Sequence, residues 1–391
     1  MAMTTVDESI WGTRVPSIAA LEHELNRLRR AASAHAKEQG RTMARAAVLN
    51  LIVYADREMH ARRAAASIAR LANRHPSRAI IVLGDRVPEG ARVAIELRCQ
   101  VPRSDDNAQI CYEQVFARVK GDADDRIASL VIPLLVPDLS VFLWWTGTPP
   151  HDTKRFADLI ALADRLIVDS ADFARPDTTL PIVADLARTH RGRGFGVGFG
   201  VGFGVTDLNW TRLTPWRELV AAFFDVAAWG PCLDGITGVR VGFAVDMDGR
   251  DLHPSQALLF IGWLASRLGW RSMEAVAPSE AGGLLFHMAR GDGAPIDVRV
   301  RPRFERGLEP GDTSGVRLQA RRGNDLFEFV LKREPDPRHV TATVLLNGDV
   351  RSRRVLPLPE PGIEELLREE LSIVGSDQVY EDALHALVAL A

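Results

Sequence analysis

The chain has 391 residues, of which 46% are apolar and 25% are charged, as in soluble globular proteins with two or three domains. This composition excludes a disordered polypeptide, a disulfide-stapled peptide and a collagen-like fibre. The 48 basic and 51 acidic residues give a net charge of −3, so no basic excess predicts nucleic-acid binding.

The cysteine content and the lengths of the apolar runs indicate the cellular compartment of the protein. The chain has three cysteines (Cys99, Cys111 and Cys232), and none is paired in a CxxC motif, which predicts a reducing compartment. Residues 1–12 lack a basic stretch followed by an apolar run, so no signal peptide is predicted. The longest apolar runs, such as 130–136, are too short to cross a bilayer. We therefore expect a cytoplasmic protein with no membrane partner.

Helical and strand patterns alternate along the first half of the chain. Apolar residues three and four apart predict a helix from Ile18 to Gly40. Buried strands are predicted over 46–54, 79–83, 140–145 and 165–169, and helices over 59–74, 122–135 and 154–163. Alternating residues over 93–101 and 110–119 predict antiparallel strands with one solvent-exposed face. This order predicts an α/β domain whose sheet is covered by helices.

The pattern changes after residue 175. Residues 194–205 are three copies of Gly-Phe-Gly-Val, which predict a flexible insertion because alternating glycines disfavour a fixed conformation. Helices are predicted from Thr214 and over 255–268, the second capped by Ser255 and ended by Gly269, with a strand over 239–245. Strands with short turns over 283–346 predict an antiparallel meander, followed by two helices.

These patterns give a domain organisation. We predict an N-terminal helix over 1–44, an α/β domain over 45–175, a linker with the Gly-Phe-Gly-Val repeat over 176–212, and a C-terminal α+β domain over 213–391.

Few motifs indicate catalysis. The glycine repeat does not match the GxGxxG fingerprint of dinucleotide-binding sites, and the P-loop, GxSxG and HExxH motifs are absent.

Asp246 and Asp248 follow a predicted strand, and they fit either a divalent-cation site for a diphosphate substrate or an ordinary turn. A group of arginines fits either an anion site or a solvated sheet face: Arg301, Arg303, Arg306, Arg321 and Arg322.

Tryptophan is concentrated in two segments, 133–145 and 207–219, which together hold four of the eight tryptophans. Trp and Arg dominate the binding energy of many protein interfaces, but tryptophans also fill domain cores. With residues 50–54, 75–79 and 164–170, the two segments resemble the glucose-6-phosphate dehydrogenase assembly protein family, OpcA, in the same order over residues 45–290. The segment 207–219 is the most specific of these matches.

The resemblance implies a non-catalytic protein without a cofactor. Such a protein binds glucose-6-phosphate dehydrogenase, assists its oligomerisation and activates it at low substrate, in the oxidative pentose phosphate pathway. From residue type and position in the motif, we predict that five residues contact this partner: Asn209, Trp210, Arg212, Trp216 and Arg217.

Two features depart from the family pattern, and one alternative stays open. The Gly-Phe-Gly-Val insertion looks foreign to the family, and no cysteine follows Cys232, so redox control through C-terminal cysteines is not carried over. The alternative function is a metal-dependent glycosyl- or nucleotidyl-transferase that uses Asp246 and Asp248.

Overall fold

The structure, a computed structural model, describes residues 8–15, 20–45, 47–72, 74–85, 92–100, 108–120, 127–189, 203–247, 253–279, 282–373 and 375–390. The strands are β1 (Glu8–Val15), β2 (Thr42–Arg45), β3 (Leu49–Ala55), β4 (Ser77–Asp85), β5 (Arg92–Gln100), β6 (Ala108–Lys120), β7 (Val141–Trp145), β8 (Arg165–Val168), β9 (Gly204–Asp207), β10 (Ile236–Val245), β11 (Arg271–Ser272), β12 (Ala277–Pro278), β13 (Leu284–Ala289), β14 (Pro295–Phe304), β15 (Thr313–Arg322), β16 (Asp325–Arg333), β17 (His339–Leu346) and β18 (Asp349–Pro357).

The helices are α1 (Leu21–Glu38), α2 (Glu58–Leu71), α3 (Ile127–Val131), α4 (Lys154–Ile160), α5 (Pro176–Thr189), α6 (Leu208–Arg212), α7 (Thr214–Phe224), α8 (Ser255–Leu268), α9 (Ile363–Ser372) and α10 (Gln378–Val388). Among the described helices, none combines the length and apolar character needed to cross a membrane.

The chain divides into two compact units, each built from separate stretches of sequence. The first comprises Met1–Val168, His190–Thr206 and Ile363–Ser376, and the second comprises Asp169–Thr189, Asp207–Gly362 and Asp377–Ala391. The domain limits at residues 44, 175 and 212 stay a prediction.

A nine-stranded sheet organises the first unit, in the order β1-β5-β6-β4-β3-β7-β8-β9, with β2 beside β6. Strands β6, β4, β3, β7 and β8 pair in parallel. Numbered along the chain, these five strands follow the order 3-2-1-4-5 of a doubly wound sheet, which confirms the predicted α/β class. The order reverses between β3 and β7, and this creates a topological switch point at their carboxyl ends.

A buried asparagine explains one of the segments that carry the family resemblance. Asn50 lies in β3, and its amide nitrogen donates to the carbonyls of Val136 (2.9 Å) and Leu139 (3.2 Å). The Asn50 side-chain oxygen accepts from the Val136 N–H at 2.8 Å. The side chain therefore fixes the turn that leads into β7, because its amide nitrogen donates two hydrogen bonds to this turn and its oxygen accepts one from it.

The centre of the same sheet holds a buried ion pair. Arg78 of β4 lies 2.5 Å from Glu113 of β6, and Arg29 of α1 approaches the other Glu113 oxygen at 2.7 Å. Residues 111–115 of β6 are all buried, so the predicted solvent-exposed face of this strand is wrong. Helix α1 covers Glu113 on one face of the strand, and helix α2 covers Tyr112 and Gln114 on the other.

The antiparallel pairing of β5 with β6 is confirmed, and it places Cys99 opposite Cys111. Cys111 is disulfide-bonded, which runs against the reducing compartment predicted from the cysteine count. Cys232 is free and buried.

The end of the glycine repeat is part of the sheet. Residues 194–202 lie outside the described part of the chain, but Phe203 and Val205 are buried at the start of β9. A Cβ atom on Gly204 would lie 3.3 Å from the Gly375 carbonyl oxygen, which leaves little room for a side chain. The prediction of a flexible insertion is therefore wrong for residues 203–205, whereas the predicted linker bounds of 176–212 stay a prediction.

A second nine-stranded sheet organises the second unit, in the order β11-β13-β14-β10-β15-β16-β17-β18, with β12 beside β13. The antiparallel pairing of β15, β16, β17 and β18 confirms the predicted meander. The parallel pairing of β10 with β14 makes the sheet mixed, and this was not predicted. Along β10, Val239 and Val241 are buried while Arg240 between them is exposed, so one face is covered and the other is open to solvent.

Helix α8 has the predicted bounds but a different start. Gly269 ends the helix in the left-handed conformation (φ 65°), as predicted. The predicted cap by Ser255 is wrong: Pro254 precedes the helix, and the Ser255 hydroxyl instead donates to the Ser170 carbonyl at 2.7 Å.

Candidate functional site

The segment 207–219 forms two consecutive short helices in the second unit. Strand β9 ends at Asp207, whose carboxylate accepts from the Asn209 N–H at 2.8 Å and caps α6. Pro215 lies in the first turn of α7, where a missing N–H breaks no helical hydrogen bond. Local sequence therefore fixes both helix starts.

Asp207 is a buried carboxylate at the centre of this site. It also accepts from the Ser170 N–H at 2.9 Å and lies 3.4 Å from the Tyr380 hydroxyl. Burial raises the pKa of Asp207 to about 6, and the nearby Asp169 carboxylate contributes in the same direction. The hydrogen bonds from Ser170 and Asn209 oppose this shift, because they favour the ionised form.

The raised pKa of Asp207 predicts a pH-dependent stability. The folded chain holds this proton more tightly than the unfolded chain, whose Asp pKa is about 3.8, so the stabilisation is complete below pH 4 and is lost as pH rises through 6. We expect the wild type to lose up to about 3 kcal/mol relative to Asp207→Asn over this range. Urea unfolding of both proteins between pH 4 and 7 measures the difference, and parallel stability curves would contradict the assignment.

Arg212 at the end of α6 forms a two-pronged ion pair with Asp169. Its Nη1 and Nη2 atoms lie 2.6 and 2.7 Å from the two Asp169 carboxylate oxygens. The Arg212 side chain is 23% exposed and that of Asp169 is 9% exposed, so the pair is largely shielded from water. This parallel arrangement is the strong form of a charge-assisted hydrogen bond.

A chain of buried amides and hydroxyls extends from α6 into the second sheet. Asn209 donates to the Ser170 hydroxyl at 3.1 Å and accepts from Gln256 at 3.0 Å. The Gln256 side-chain oxygen accepts from both the N–H and the hydroxyl of Thr313, each at 2.9 Å. These bonds connect α6, α8 and β15, and such buried networks position the elements they join.

The two tryptophans of the segment lie beneath arginines. The Trp210 indole N–H donates to Asp377 at 2.9 Å, and the Arg217 guanidinium lies 3.5 Å from the centre of its ring. The Arg333 guanidinium lies 5.6 Å from the centre of the Trp216 ring. These distances are typical of cation–π contacts, which add to the stabilisation from burying the rings.

The structure brings all five predicted partner-binding residues into one cluster of the second unit. Asn209, Trp210 and Trp216 are buried, with at most 2% exposed, whereas Arg212 and Arg217 are partly exposed. Burial agrees with the alternative in which the tryptophans fill a core. The partner-binding role of the five residues stays a prediction.

A polar cavity of about 320 Å³ lies beside Arg212. Its walls carry both signs of charge, with Arg212 and Arg333 near Asp312 and Glu360. Arg333 pairs with Glu360 at 2.5 Å, and burial raises the pKa of Asp312. Glu309 also lines the cavity, so two arginines face three carboxyl groups and neither sign of charge dominates.

The alternative metal site gains no support. Asp246 is partly buried after β10, and Asp248 lies outside the described residues. Over the ranges that the structure describes, no three His, Cys, Asp or Glu side chains are grouped to hold a metal ion.

Aromatic side chains fill the switch point of the first unit. Tyr54 at the end of β3 and Trp145 at the end of β7 stack with their ring centres 4.1 Å apart and their planes 15° apart. Phe156 contacts Trp145 edge-on at 5.0 Å, and the Arg155 guanidinium lies 5.7 Å from the Tyr54 ring. A Cβ atom on Gly84 of β4 would lie 2.2 Å from the Tyr54 hydroxyl, so the phenol occupies the space above β4.

The turn after β3 also differs from a cofactor-binding turn. In dinucleotide-binding sheets the first parallel strand leads into a glycine-rich turn, and the cofactor lies in the crevice at the switch point. Here the chain continues Ala55-Asp56-Arg57-Glu58, without glycine. The fold and site therefore define an α/β protein with the strand order of a dinucleotide-binding domain and a filled crevice.

Sequence reasoning missed the polar and aromatic residues that organise both units. Asp169 follows β8 and Asp207 is the last residue of β9, and both lie in segments that carry the family resemblance, so their positions at the ends of buried strands were an available signal. The pairing of Tyr54 with Trp145 depends on the strand order, so no local pattern indicates it.

Comparison with solved structures shows a likeness of fold. The crystal structure of glucose-6-phosphate 1-dehydrogenase from Mycobacterium avium aligns with a TM-score of 0.50 at 13% identity, covering 88% of this chain and 91% of the dehydrogenase chain.

Two family models match the sequence. Residues 68–185 match the N-terminal domain of the glucose-6-phosphate dehydrogenase subunit family, and residues 203–384 match its C-terminal domain. The chain is 26% identical over 317 residues to the OxPP cycle protein OpcA of Synechocystis sp. (77% of this chain, 60% of the relative). It is 31% identical over 303 residues to the OpcA protein of Nostoc punctiforme (76% and 61%).

The chain therefore belongs to the OpcA family, as the resemblance indicated. It spans about three fifths of the length of these two curated relatives.

Proposed function

We propose that the chain is a non-catalytic partner of glucose-6-phosphate dehydrogenase that assists assembly of the enzyme and activates it at low substrate. The match to both domains of the dehydrogenase subunit family carries the proposal. The chain would act in the oxidative pentose phosphate pathway, the cycle named in its relatives.

The filled switch point supports a non-catalytic role. A dehydrogenase of this strand order needs an open crevice and a close approach of backbone to the cofactor pyrophosphate. Tyr54 and Trp145 occupy that crevice through a stacked contact, and the turn after β3 carries side chains at every position. The chain thus keeps a framework suited to a dehydrogenase without the space for its dinucleotide.

Activation requires only a difference in affinity. A partner that binds the active form of an enzyme more tightly than the inactive form shifts the population toward the active form. A coupling free energy of about 1–3 kcal/mol changes apparent substrate affinity by about 5–150-fold.

Of the predicted contact residues, Arg217 is the best placed to meet a partner. It is partly exposed, and its guanidinium lies 3.5 Å from the centre of the Trp210 ring and donates to the Thr214 hydroxyl at 2.8 Å. Holding the guanidinium in one geometry lowers the entropy lost on binding, and arginine is enriched among hot-spot residues. Asn209, Trp210 and Trp216 would then act by supporting this surface from below.

The chain is expected to form a complex with the dehydrogenase of the same organism, seen as a larger species in sedimentation velocity. We expect Arg217→Gln to weaken this complex by about 1–3 kcal/mol. Arg267→Gln, at an exposed position of α8, is the matched control and should leave binding unchanged. Separate sedimentation of the two wild-type proteins would count against the proposed function, whereas full binding by Arg217→Gln would remove only the contact assignment.

A further inference from the structure

Arginines lie side by side across the open face of the second sheet. Arg240 in β10 is the register partner of Arg299 in β14 on one side and of Arg317 in β15 on the other. Like charges directly opposite one another destabilise a sheet. Burial and the charges of Arg301, Arg299 and Arg317 lower the pKa of Arg240, and the smaller opposing effect of the Glu328 carboxylate does not cancel this shift.

Two glycines form a floor beside this row. Gly242 of β10 lies opposite Gly315 of β15, and this pair is flanked by Arg301 of β14 and Lys332 of β16. Because glycine has no side chain, the flanking long side chains surround a depression of about 390 Å³. This volume falls within the range of small-molecule sites, about 300–1,000 Å³.

The side chains that line this depression carry mostly positive charge. Five cationic side chains line it, against the single acidic side chain of Glu305: Arg240, Arg301, Arg303, Arg317 and Lys332. Arg317 lies 3.6 Å from Glu328, outside the depression. Within the described part of the chain, the other four cations form no ion pair, and the buried Nε atom of Arg301 has no hydrogen-bond partner.

We propose that this depression binds a small molecule that carries at least two phosphate groups. Planar guanidinium groups bind phosphate oxygens in pairs, and several of them on one floor suit a ligand with several adjacent anionic groups. A single phosphate would neutralise fewer of the uncompensated charges. Of the five arginines named together in the sequence, Arg301 and Arg303 line the depression, whereas Arg306, Arg321 and Arg322 do not.

The site goes beyond the proposed function and does not depend on it, since it needs only this chain. The repulsion among the arginines is a local cost to folding that an anionic ligand removes. The proposal therefore also predicts that Arg240→Gln raises the melting temperature of the ligand-free chain and weakens ligand binding.

The test is a calorimetric titration of the full chain with inorganic pyrophosphate at low salt. We expect saturable binding, with inorganic phosphate binding at least tenfold more weakly. The double variant Arg301→Gln/Lys332→Gln should lose at least tenfold in affinity. Arg353→Gln, at an exposed arginine of β18 in the same sheet, is the matched control and should stay within twofold of wild type.

Three results would each contradict the proposed site. The first is a titration with pyrophosphate that shows no saturable heat, the second is equal affinity for phosphate and pyrophosphate, and the third is undiminished binding by the double variant. Binding of a polyglutamate peptide that pyrophosphate does not displace would assign the surface to an acidic protein and would also overturn it. A melting curve for each variant separates loss of binding from loss of folding.

Discussion

Replacement of Arg212 by alanine is expected to lower the free energy of unfolding by about 3 kcal/mol. The substitution removes the guanidinium whose two Nη atoms lie 2.6 and 2.7 Å from the Asp169 carboxylate oxygens. It leaves the Asp169 carboxylate beside the buried carboxyl group of Asp207. Removing one partner of a shielded ion pair is costly because the remaining charge keeps its desolvation penalty without its attraction. Urea unfolding at pH 7 measures the effect.

Two comparisons make the Arg212 result specific. Arg175 forms an ion pair with Asp177 in which both side chains are more than half exposed, and Arg175→Ala should leave the free energy of unfolding nearly unchanged. Adding Asp169→Asn to Arg212→Ala should restore part of the lost stability, because it removes the orphaned charge. A loss below about 1 kcal/mol for Arg212→Ala, or no restoration in the double variant, would show that the pair is not structural.

The burial of the two tryptophans in the segment 207–219 determines how variants of this segment should be interpreted. Trp210 and Trp216 are buried within the second unit, so their truncation removes core contacts at an expected cost of about 3–5 kcal/mol. A loss of partner binding in such variants follows from unfolding as readily as from a lost contact. Partly exposed positions, with Arg217 the first among them, test the interface more cleanly.

Much of the local structure could be predicted from the sequence. The apolar spacing in α7 and α8, and Gly269 in its left-handed conformation, placed these elements within a few residues. Apolar runs likewise located β3, β4, β7 and β8, because strands buried on both faces are nearly continuous in hydrophobicity.

The long-range pairings could not be predicted, because periodicity shows which face is buried and not which strand lies next to it. The parallel contact of β10 with β14 and the order of the first sheet come from tertiary packing. The same limit hid the burial of β6: its alternating pattern predicted one solvent-exposed face, but residues 111–115 are buried on both faces.

The candidate site, like the fold, has features that local sequence cannot reveal because they depend on long-range contacts. Asp207 meets Ser170 from 37 residues away and Tyr380 from 173 residues away, so neither its burial nor its raised pKa can be inferred locally. Tryptophan and arginine are favoured both in cores and in hot spots, so residue type alone does not separate the two roles. The row of arginines around Gly242 likewise emerges only from the strand register.

The most direct test of the proposed function is the rate of glucose-6-phosphate dehydrogenase from the same organism at subsaturating glucose 6-phosphate, titrated with the purified chain. We expect a saturable rise in rate, through an apparent substrate affinity improved by about 5–150-fold, and no turnover by the chain alone. An unchanged rate at every ratio of chain to enzyme, or substrate turnover by the chain alone, would contradict the role of a non-catalytic activator.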